Sequence, residues 1–96
     1  MPRVKLSARA RLDLARLHRF LAEKDSTLAS RAIDDIYASV VHLKRMPKIG
    51  RPVQAGLREL IIDFGSSGYL ALYDFDEAAD EIIILAVRHQ RENNYK

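Results

Sequence analysis

The sequence predicts an α+β domain with the element order β-α-α-β-β-β, in which an N-terminal helical hairpin packs on one face of a small antiparallel sheet. Two observations lead to this prediction. Apolar residues recur at helical spacing in the first half of the chain and at strand spacing in the second half. The length of 96 residues allows one hydrophobic core, so we expect a single domain over residues 1–96.

The first half of the chain is expected to form two amphipathic helices. A short extended start at Val4 to Leu6 is followed by Ser7, whose hydroxyl is suited to cap the first helix, and residues 23–27 break the helical pattern before the second helix. A short break between two helices gives an antiparallel hairpin whose apolar stripes must cover another element. The stripes are Ala10, Leu14, Leu17 and Leu21 in the first helix, and Ala29, Ile33, Ile36, Val40 and Leu43 in the second.

The second half is expected to form a three-stranded antiparallel meander. Pro47 ends the second helix, and residues 47–56 are a surface connection with two prolines and two glycines. The last strand is apolar at every position, which predicts burial on both faces and a central place in the sheet. The predicted strands are Leu57 to Phe64, Tyr69 to Phe75 and Ile82 to Val87, joined by turns at 65–68 and 76–80.

Composition excludes several classes of protein. The chain has no cysteine, which excludes disulfides and cysteine-based metal sites, and its three histidines are far apart in sequence, so we expect no metal and no cofactor. Neither a signal peptide nor an apolar run long enough to span a membrane is present in the sequence. We therefore expect a cytoplasmic protein with no membrane partner.

The net charge of +3 conceals two different halves. Residues 1–56 contain 12 Lys and Arg against 5 Asp and Glu, which gives +7, whereas residues 57–96 contain 4 against 8, which gives −4. A basic half can attract nucleic acid or an acidic partner. Basic helix surfaces are also common without any such partner, so charge alone leaves both interpretations open.

The densest group of polar side chains lies at the end of the last strand. Arg88, His89 and Arg91 fall within four residues, and this group could bind a phosphate or, with His89 as proton carrier, assist its transfer. The alternative is a solvated C-terminal tail over residues 88–96. Arg58 opens the neighbouring strand, and we expect it to lie near the other three at one end of the sheet.

Five sequence phrases, taken in order, resemble the RelE/ParE toxin superfamily nearly from end to end. The order of the phrases follows the order of elements that this superfamily shows, which makes the resemblance specific. They are Ala10-x-x-Asp13-Leu14, Leu43-x-x-x-Pro47-x-x-Gly50-Arg51-Pro52, Leu57-Arg58-Glu59-Leu60, Gly68-Tyr69-x-x-x-Tyr73 and Ile84-Leu85-Ala86-Val87-Arg88-His89-Gln90-Arg91-Glu92.

The resemblance implies a growth-inhibiting, cytoplasmic toxin of a bacterial type II toxin–antitoxin system, of the kind that stabilises plasmids. Its implied partner is a cognate antitoxin, which we expect to cover exposed apolar helix surface, and operator DNA is contacted only through the toxin–antitoxin complex. The superfamily contains two kinds of activity. ParE-like members bind and inhibit DNA gyrase without chemistry of their own, whereas RelE-like members cleave mRNA on the ribosome.

Individual residues place the chain nearer to the ParE-like members. RelE-like nucleases carry cationic residues along the second sheet strand and an arginine after Gly-Tyr, where this chain has Glu59, Asp63 and Leu70. An acidic strand repels the phosphate that a nuclease must bind. The resemblance thus implies a gyrase inhibitor whose target-binding residues are Arg58, Arg88, His89 and Arg91. The alternative is a ribosome-dependent mRNA endonuclease with the catalytic set His89, Arg88, Arg91 and Tyr95.

Overall fold

The computed structural model describes residues 1–64, 67–92 and 94–95. Two helices follow one short strand and precede four further strands, which confirms the predicted α+β architecture. Residues 65 and 66 of the predicted 65–68 turn lie outside the described residues, and Ser67 and Gly68 belong to a strand. The elements are β1 (Arg3–Leu6), α1 (Ala8–Ala22), α2 (Ser26–His42), β2 (Arg51–Pro52), a 3₁₀ turn (Gln54–Gly56), β3 (Arg58–Phe64), β4 (Ser67–Asp76) and β5 (Glu81–His89).

The sheet has the strand order β1-β5-β4-β3-β2 and is mixed. Strands β3, β4 and β5 form the predicted antiparallel meander. The sheet is not antiparallel throughout, because β1 pairs in parallel with β5, from Arg3 opposite Glu81 to Leu6 opposite Ile84. The two-residue strand β2 was not predicted, and it places Arg51 opposite Glu59. Strand β5 is an interior strand as predicted, although β4 occupies the middle position.

Capping residues mark the start of each helix, and the apolar stripes determine which side of each helix faces the sheet. The Ser7 hydroxyl accepts a hydrogen bond from the Ala10 amide at 3.0 Å and donates to the Leu85 carbonyl at 2.9 Å, so the α1 cap is also fastened to β5. Asp25 caps α2 through the amides of Thr27 and Leu28. The predicted stripes face the sheet and build the core with Ile62, Tyr69, Ala71, Tyr73, Ile82, Ile84 and Val87.

A β-bulge in β5 is stabilised by a buried carboxylate from α1. Leu72 lies opposite Ala86 while Tyr73 lies opposite Ile84, so Leu85 is the extra residue. Asp13 is 3% exposed, and its carboxylate accepts a hydrogen bond of 2.9 Å from the Val87 amide. Asp13 also pairs with Arg9 at 3.6 Å and Arg16 at 3.7 Å, which offsets the cost of burying its charge.

The helices cover one face of the sheet, and the other face is covered only in part. In β5, the core-facing residues are fully buried, whereas Ile83 and Leu85 are half-buried. The prediction that β5 is buried on both faces is therefore wrong for this part of the strand, because no helix lies over the second face. We call this second face, which carries Glu59, Leu70 and Arg88, the open face.

The loop after α2 is fixed by two side chains from the sheet. The Tyr73 hydroxyl donates to the Pro47 carbonyl at 2.8 Å and accepts from the Gly50 amide at 2.9 Å. Arg58 donates to the carbonyls of Lys48 and Gly50 at 3.0 and 2.8 Å. A Cβ at Gly50 would lie 2.6 Å from the Tyr73 ring and hydroxyl, so the close approach requires glycine.

We predict that Tyr73→Phe lowers the free energy of unfolding by about 1–3 kcal/mol, because it leaves the Gly50 amide without its buried acceptor. Urea denaturation measures the change. Tyr37→Phe is the control, since Tyr37 lies 42% exposed on α2, and its effect should stay within about 0.5 kcal/mol. Equal stabilities of the two variants would show that the loop does not depend on the Tyr73 hydroxyl.

Candidate functional site

The candidate residues at the end of β5 point to opposite faces of the sheet. His89 lies across from Tyr69, on the helix-covered side, and the two rings meet edge-on with centroids 5.4 Å apart. Arg88 lies across from Leu70, on the open face. Successive residues of a strand alternate in this way, so their closeness in sequence does not bring the two side chains together.

Arg58 lies far from the other candidate residues. In the register of the sheet, Arg58 is opposite Tyr73, which is opposite Ile84, and His89 lies five residues beyond Ile84. At about 3.3 Å per residue, this places Arg58 roughly 15 Å along the sheet from His89. The predicted grouping is therefore wrong for Arg58, because β3 begins at the end of the sheet opposite to the one where β5 ends. Arg58 supports the loop after α2 instead.

A buried carboxylate occupies the open face. Glu59 is 6% exposed, and its Oε1 accepts from Arg51 Nε at 2.9 Å and also from Arg51 Nη2. Its Oε2 accepts a hydrogen bond of 2.6 Å from the Tyr95 hydroxyl. The Arg88 guanidinium lies 5.1 Å from the centre of the Tyr95 ring. We call these four residues, Arg51, Glu59, Arg88 and Tyr95, the Glu59 cluster.

The C-terminal residues fold back onto the body of the protein. The His89 amide donates to the Glu92 carboxylate at 3.0 Å, and Arg16 of α1 donates to both Glu92 carboxylate oxygens at 3.2 Å. Arg88 Nη1 donates to the Glu92 main-chain carbonyl. The interpretation of residues 88–96 as a solvated tail is therefore wrong for Arg88, His89, Glu92 and Tyr95, whereas the described residues Gln90, Arg91 and Asn94 are exposed. Of the candidate residues, Arg91 is exposed and His89 half-buried.

The environment shifts the pKa of three groups of the candidate site. Burial raises the pKa of Glu59, but hydrogen bonds from Tyr95 and Arg51 and the charges of Arg51 and Arg88 outweigh it, so the pKa is lowered overall. Burial, with the hydrogen bond and charge of Glu59, raises the pKa of Tyr95. Burial and the Arg91 charge lower the pKa of His89, against the opposing charge of Glu92. At neutral pH these groups are ionised Glu59, protonated Tyr95 and neutral His89.

These protonation states limit the chemistry of the site. The Tyr95 phenol is a donor to a carboxylate and not a base. His89 Nδ1 accepts from the Arg91 amide at 3.0 Å, so neutral His89 carries its proton on Nε2. Among the described residues, no group of three or more His, Asp or Glu is arranged to hold a metal ion, and no helix is long and apolar enough to cross a membrane.

The contact between Arg51 and Glu59 is not predicted from the sequence. Arg51 lies between Gly50 and Pro52 and is expected to belong to a connection, whereas the structure places it in β2, directly opposite Glu59. Glu59 is expected to be a charge that repels phosphate, and the sequence does not predict its burial. The available signal is an arginine eight positions before an acid in a predicted strand.

We predict that Glu59 makes stability depend on pH in the acidic range. Its pKa is lower in the native state than the ordinary 4.5, so ionised Glu59 stabilises the protein above that pH, and the contribution is lost as the pH falls through the native value. The difference in unfolding free energy between the wild type and Glu59→Gln should therefore shrink between pH 7 and pH 3 in urea titrations.

Asp63→Asn is the matched control for this prediction. Asp63 lies exposed on the same strand, so this variant removes an equal charge without opening the Glu59 cluster. Its difference from the wild type should stay small across the range. A Glu59→Gln difference that is independent of pH would contradict the proposed role of the carboxylate.

Comparisons with known proteins agree on one superfamily. The family model for the ParE toxin of the type II toxin–antitoxin system, parDE, matches residues 4–94. Toxin RelE3 of Caulobacter vibrioides is 36% identical over 92 residues, which cover 96% of this chain and 98% of that toxin. Toxin RelE1 of the same organism is 37% identical over 70 residues, which cover 73% of this chain and 75% of that toxin.

Solved structures show the same architecture. The chromosomal ParDE TA system from P. aeruginosa contains a chain with a TM-score of 0.77 at 24% identity, covering 93% of this chain and 96% of that one. The RelBE2 toxin–antitoxin complex of Mycobacterium tuberculosis contains a chain with a TM-score of 0.70 at 25% identity, covering 94% of this chain and all of that one. The chain is thus a member of the ParE toxin family of type II toxin–antitoxin systems, within the RelE/ParE superfamily.

Proposed function

We propose that this toxin inhibits DNA gyrase by binding to it and has no catalytic activity of its own. The observation that carries the proposal is the ionised, buried Glu59 on the open face. A RelE-like nuclease is expected to present cationic side chains to RNA along this part of the sheet. This toxin instead presents the Glu59 carboxylate, which already forms an ion pair with the neighbouring Arg51.

The Glu59 carboxylate opposes phosphate binding at the Glu59 cluster. Taken alone, it would repel a phosphate placed roughly 5–6 Å away by about 3 kcal/mol at an effective dielectric constant near 20. Arg51 makes two hydrogen bonds to Glu59, and Arg88 makes one to the Glu92 carbonyl. Both guanidiniums thus already direct donors at protein acceptors, although their charges reduce this repulsion.

The catalytic set of the nuclease alternative is also poorly suited to proton transfer at His89 and Tyr95. RNA cleavage by a 2′-hydroxyl needs a base that takes its proton and an acid that protonates the leaving oxygen. Tyr95 has a raised pKa and donates to Glu59, so it is no base, and the unprotonated Nδ1 of neutral His89 already accepts from the Arg91 amide. Both observations support a binding protein.

The proposed target-binding surface lies at the end of β5. Arg91 is exposed there beside half-buried His89, and Arg88 borders them on the open face. Cationic groups at the rim of an interface speed association with an acidic surface and set its specificity. We also propose that Arg58 contributes to target binding indirectly. It would do so through the loop after α2, because its side chain binds two carbonyls of that loop.

We also propose that a cognate antitoxin binds and neutralises this toxin. The two structural neighbours named above come from a ParDE TA system and a RelBE2 toxin–antitoxin complex, which supports such a partner for this toxin. Its proposed footprint includes apolar side chains that the helices expose, among them Leu12 at 69%, Phe20 at 56% and Val41 at 54%. Operator DNA would be contacted through the complex, and the toxin would act in the cytoplasm.

The alternative function is ribosome-dependent cleavage of mRNA. It is favoured by the names of the relatives, Toxin RelE3 and Toxin RelE1. Under this alternative, His89, Arg88, Arg91 and Tyr95 form the catalytic set, and Tyr95 must first leave Glu59 to reach a substrate.

We predict that brief induction without antitoxin stops thymidine incorporation before methionine incorporation, because gyrase inhibition blocks replication first. Parallel pulse labelling during the first minutes measures the order. Arg91→Ala should weaken growth inhibition roughly tenfold, which corresponds to about 1.4 kcal/mol of binding free energy. Arg19→Ala, an equal change of charge at an exposed position of α1, should not.

The opposite order of inhibition would contradict the gyrase proposal. If methionine incorporation stops first, the nuclease alternative holds, and His89→Ala should then abolish mRNA cleavage while antitoxin binding persists. Arg91→Ala as toxic as the wild type would show that the end of β5 does not contact the target.

A further inference from the structure

Tyr95 crosses the sheet from one strand to another. Its hydroxyl binds Glu59 on β3, while its ring lies against Arg88 on β5. These strands flank β4, so Tyr95 links side chains that come from the two sides of β4. On the open face of β4, Leu72 lies opposite Glu59 and Leu70 opposite Arg88.

The open face is buried unevenly. Leu70 is 6% exposed and Ala86 is 5% exposed, although both lie on the face that the helices do not cover. Ile61 pairs with Leu70 on the same face, and it is 54% exposed. Burial is thus deepest beside Arg88, which lies opposite Leu70 on β5, and not at Ile61 on β3.

The same fold-back engages Arg88. Its guanidinium lies against the Tyr95 ring and donates to the Glu92 carbonyl, and the next residue, His89, donates its amide to the Glu92 carboxylate. We call the described residues 90–92 and 94–95 the C-terminal strap. While the strap is closed, Arg88 is held by it and is not free to bind a target.

We propose that the open face contains a binding site for a tyrosine side chain, built from Glu59 and Arg88, which the chain's own Tyr95 fills to close the strap. Opening of this latch releases Arg88. The latch does not depend on which target the toxin binds. It goes beyond the proposed function because it controls whether the Arg88 side chain is held by the strap or is accessible to a partner.

Amide hydrogen exchange by NMR tests the latch directly on the purified chain. The reporters are the amides of His89, which donates to Glu92, and Gln90, which donates to the Gly68 carbonyl at 3.0 Å. Tyr95→Phe keeps the ring but removes the hydrogen bond, and it should speed exchange at both amides by at least about fivefold, since hydrogen bonds to charged groups are among the stronger ones. Tyr95→Ala, which also removes the ring, should speed it further.

Two controls separate the latch from general destabilisation. Tyr37→Phe removes an exposed hydroxyl on the opposite side of the sheet and should leave both reporters unchanged. The amide of Ile36, in the buried part of α2, should exchange at the wild-type rate in the Tyr95 variants. Wild-type exchange at His89 and Gln90 in Tyr95→Ala, or an equal acceleration at Ile36, would overturn the proposal. Neither outcome depends on the identity of the toxin's target.

Discussion

The helices cover one face of the sheet, and the carboxylate of Glu59 organises the partial cover of the other face. It binds Arg51, which holds β2 against β3, and it accepts the Tyr95 hydroxyl, which draws the C-terminal residues across β4. A buried charge is stable only when paired and hydrogen-bonded, so these contacts depend on one another. One acidic residue thus connects the edge strand, the meander and the C-terminal strap.

This arrangement bears on the proposed mode of action. Glu59 pairs with Arg51, a cation that a nuclease would direct at RNA. Arg91 carries an exposed positive charge at the end of β5, where it can contact a protein surface. The family relationship establishes a type II toxin–antitoxin toxin, and the pairing of Glu59 supports the proposal of binding over catalysis.

Sequence patterns predicted the features that depend on local spacing. The Ser7 cap, the helical stripes ending at Val40 and Leu43, and the three-stranded meander follow from periodicity and turn chemistry. Features that depend on register were not predictable. Arg58 and His89 each lie at a strand end, but whether those ends meet depends on strand direction, and they do not. The Arg51–Glu59 and Tyr95–Glu59 contacts join residues 8 and 36 positions apart, and no local pattern encodes such pairing.

This toxin is proposed to act by binding gyrase and not by cutting RNA. The most direct measurement is the supercoiling of relaxed plasmid by purified gyrase while the purified toxin is titrated in, with mRNA on translating ribosomes incubated beside it. The account predicts that supercoiling is inhibited in proportion to toxin and that the mRNA stays intact. Uninhibited gyrase together with cleaved mRNA would contradict it, and would mean that Tyr95 leaves Glu59 to take part in catalysis.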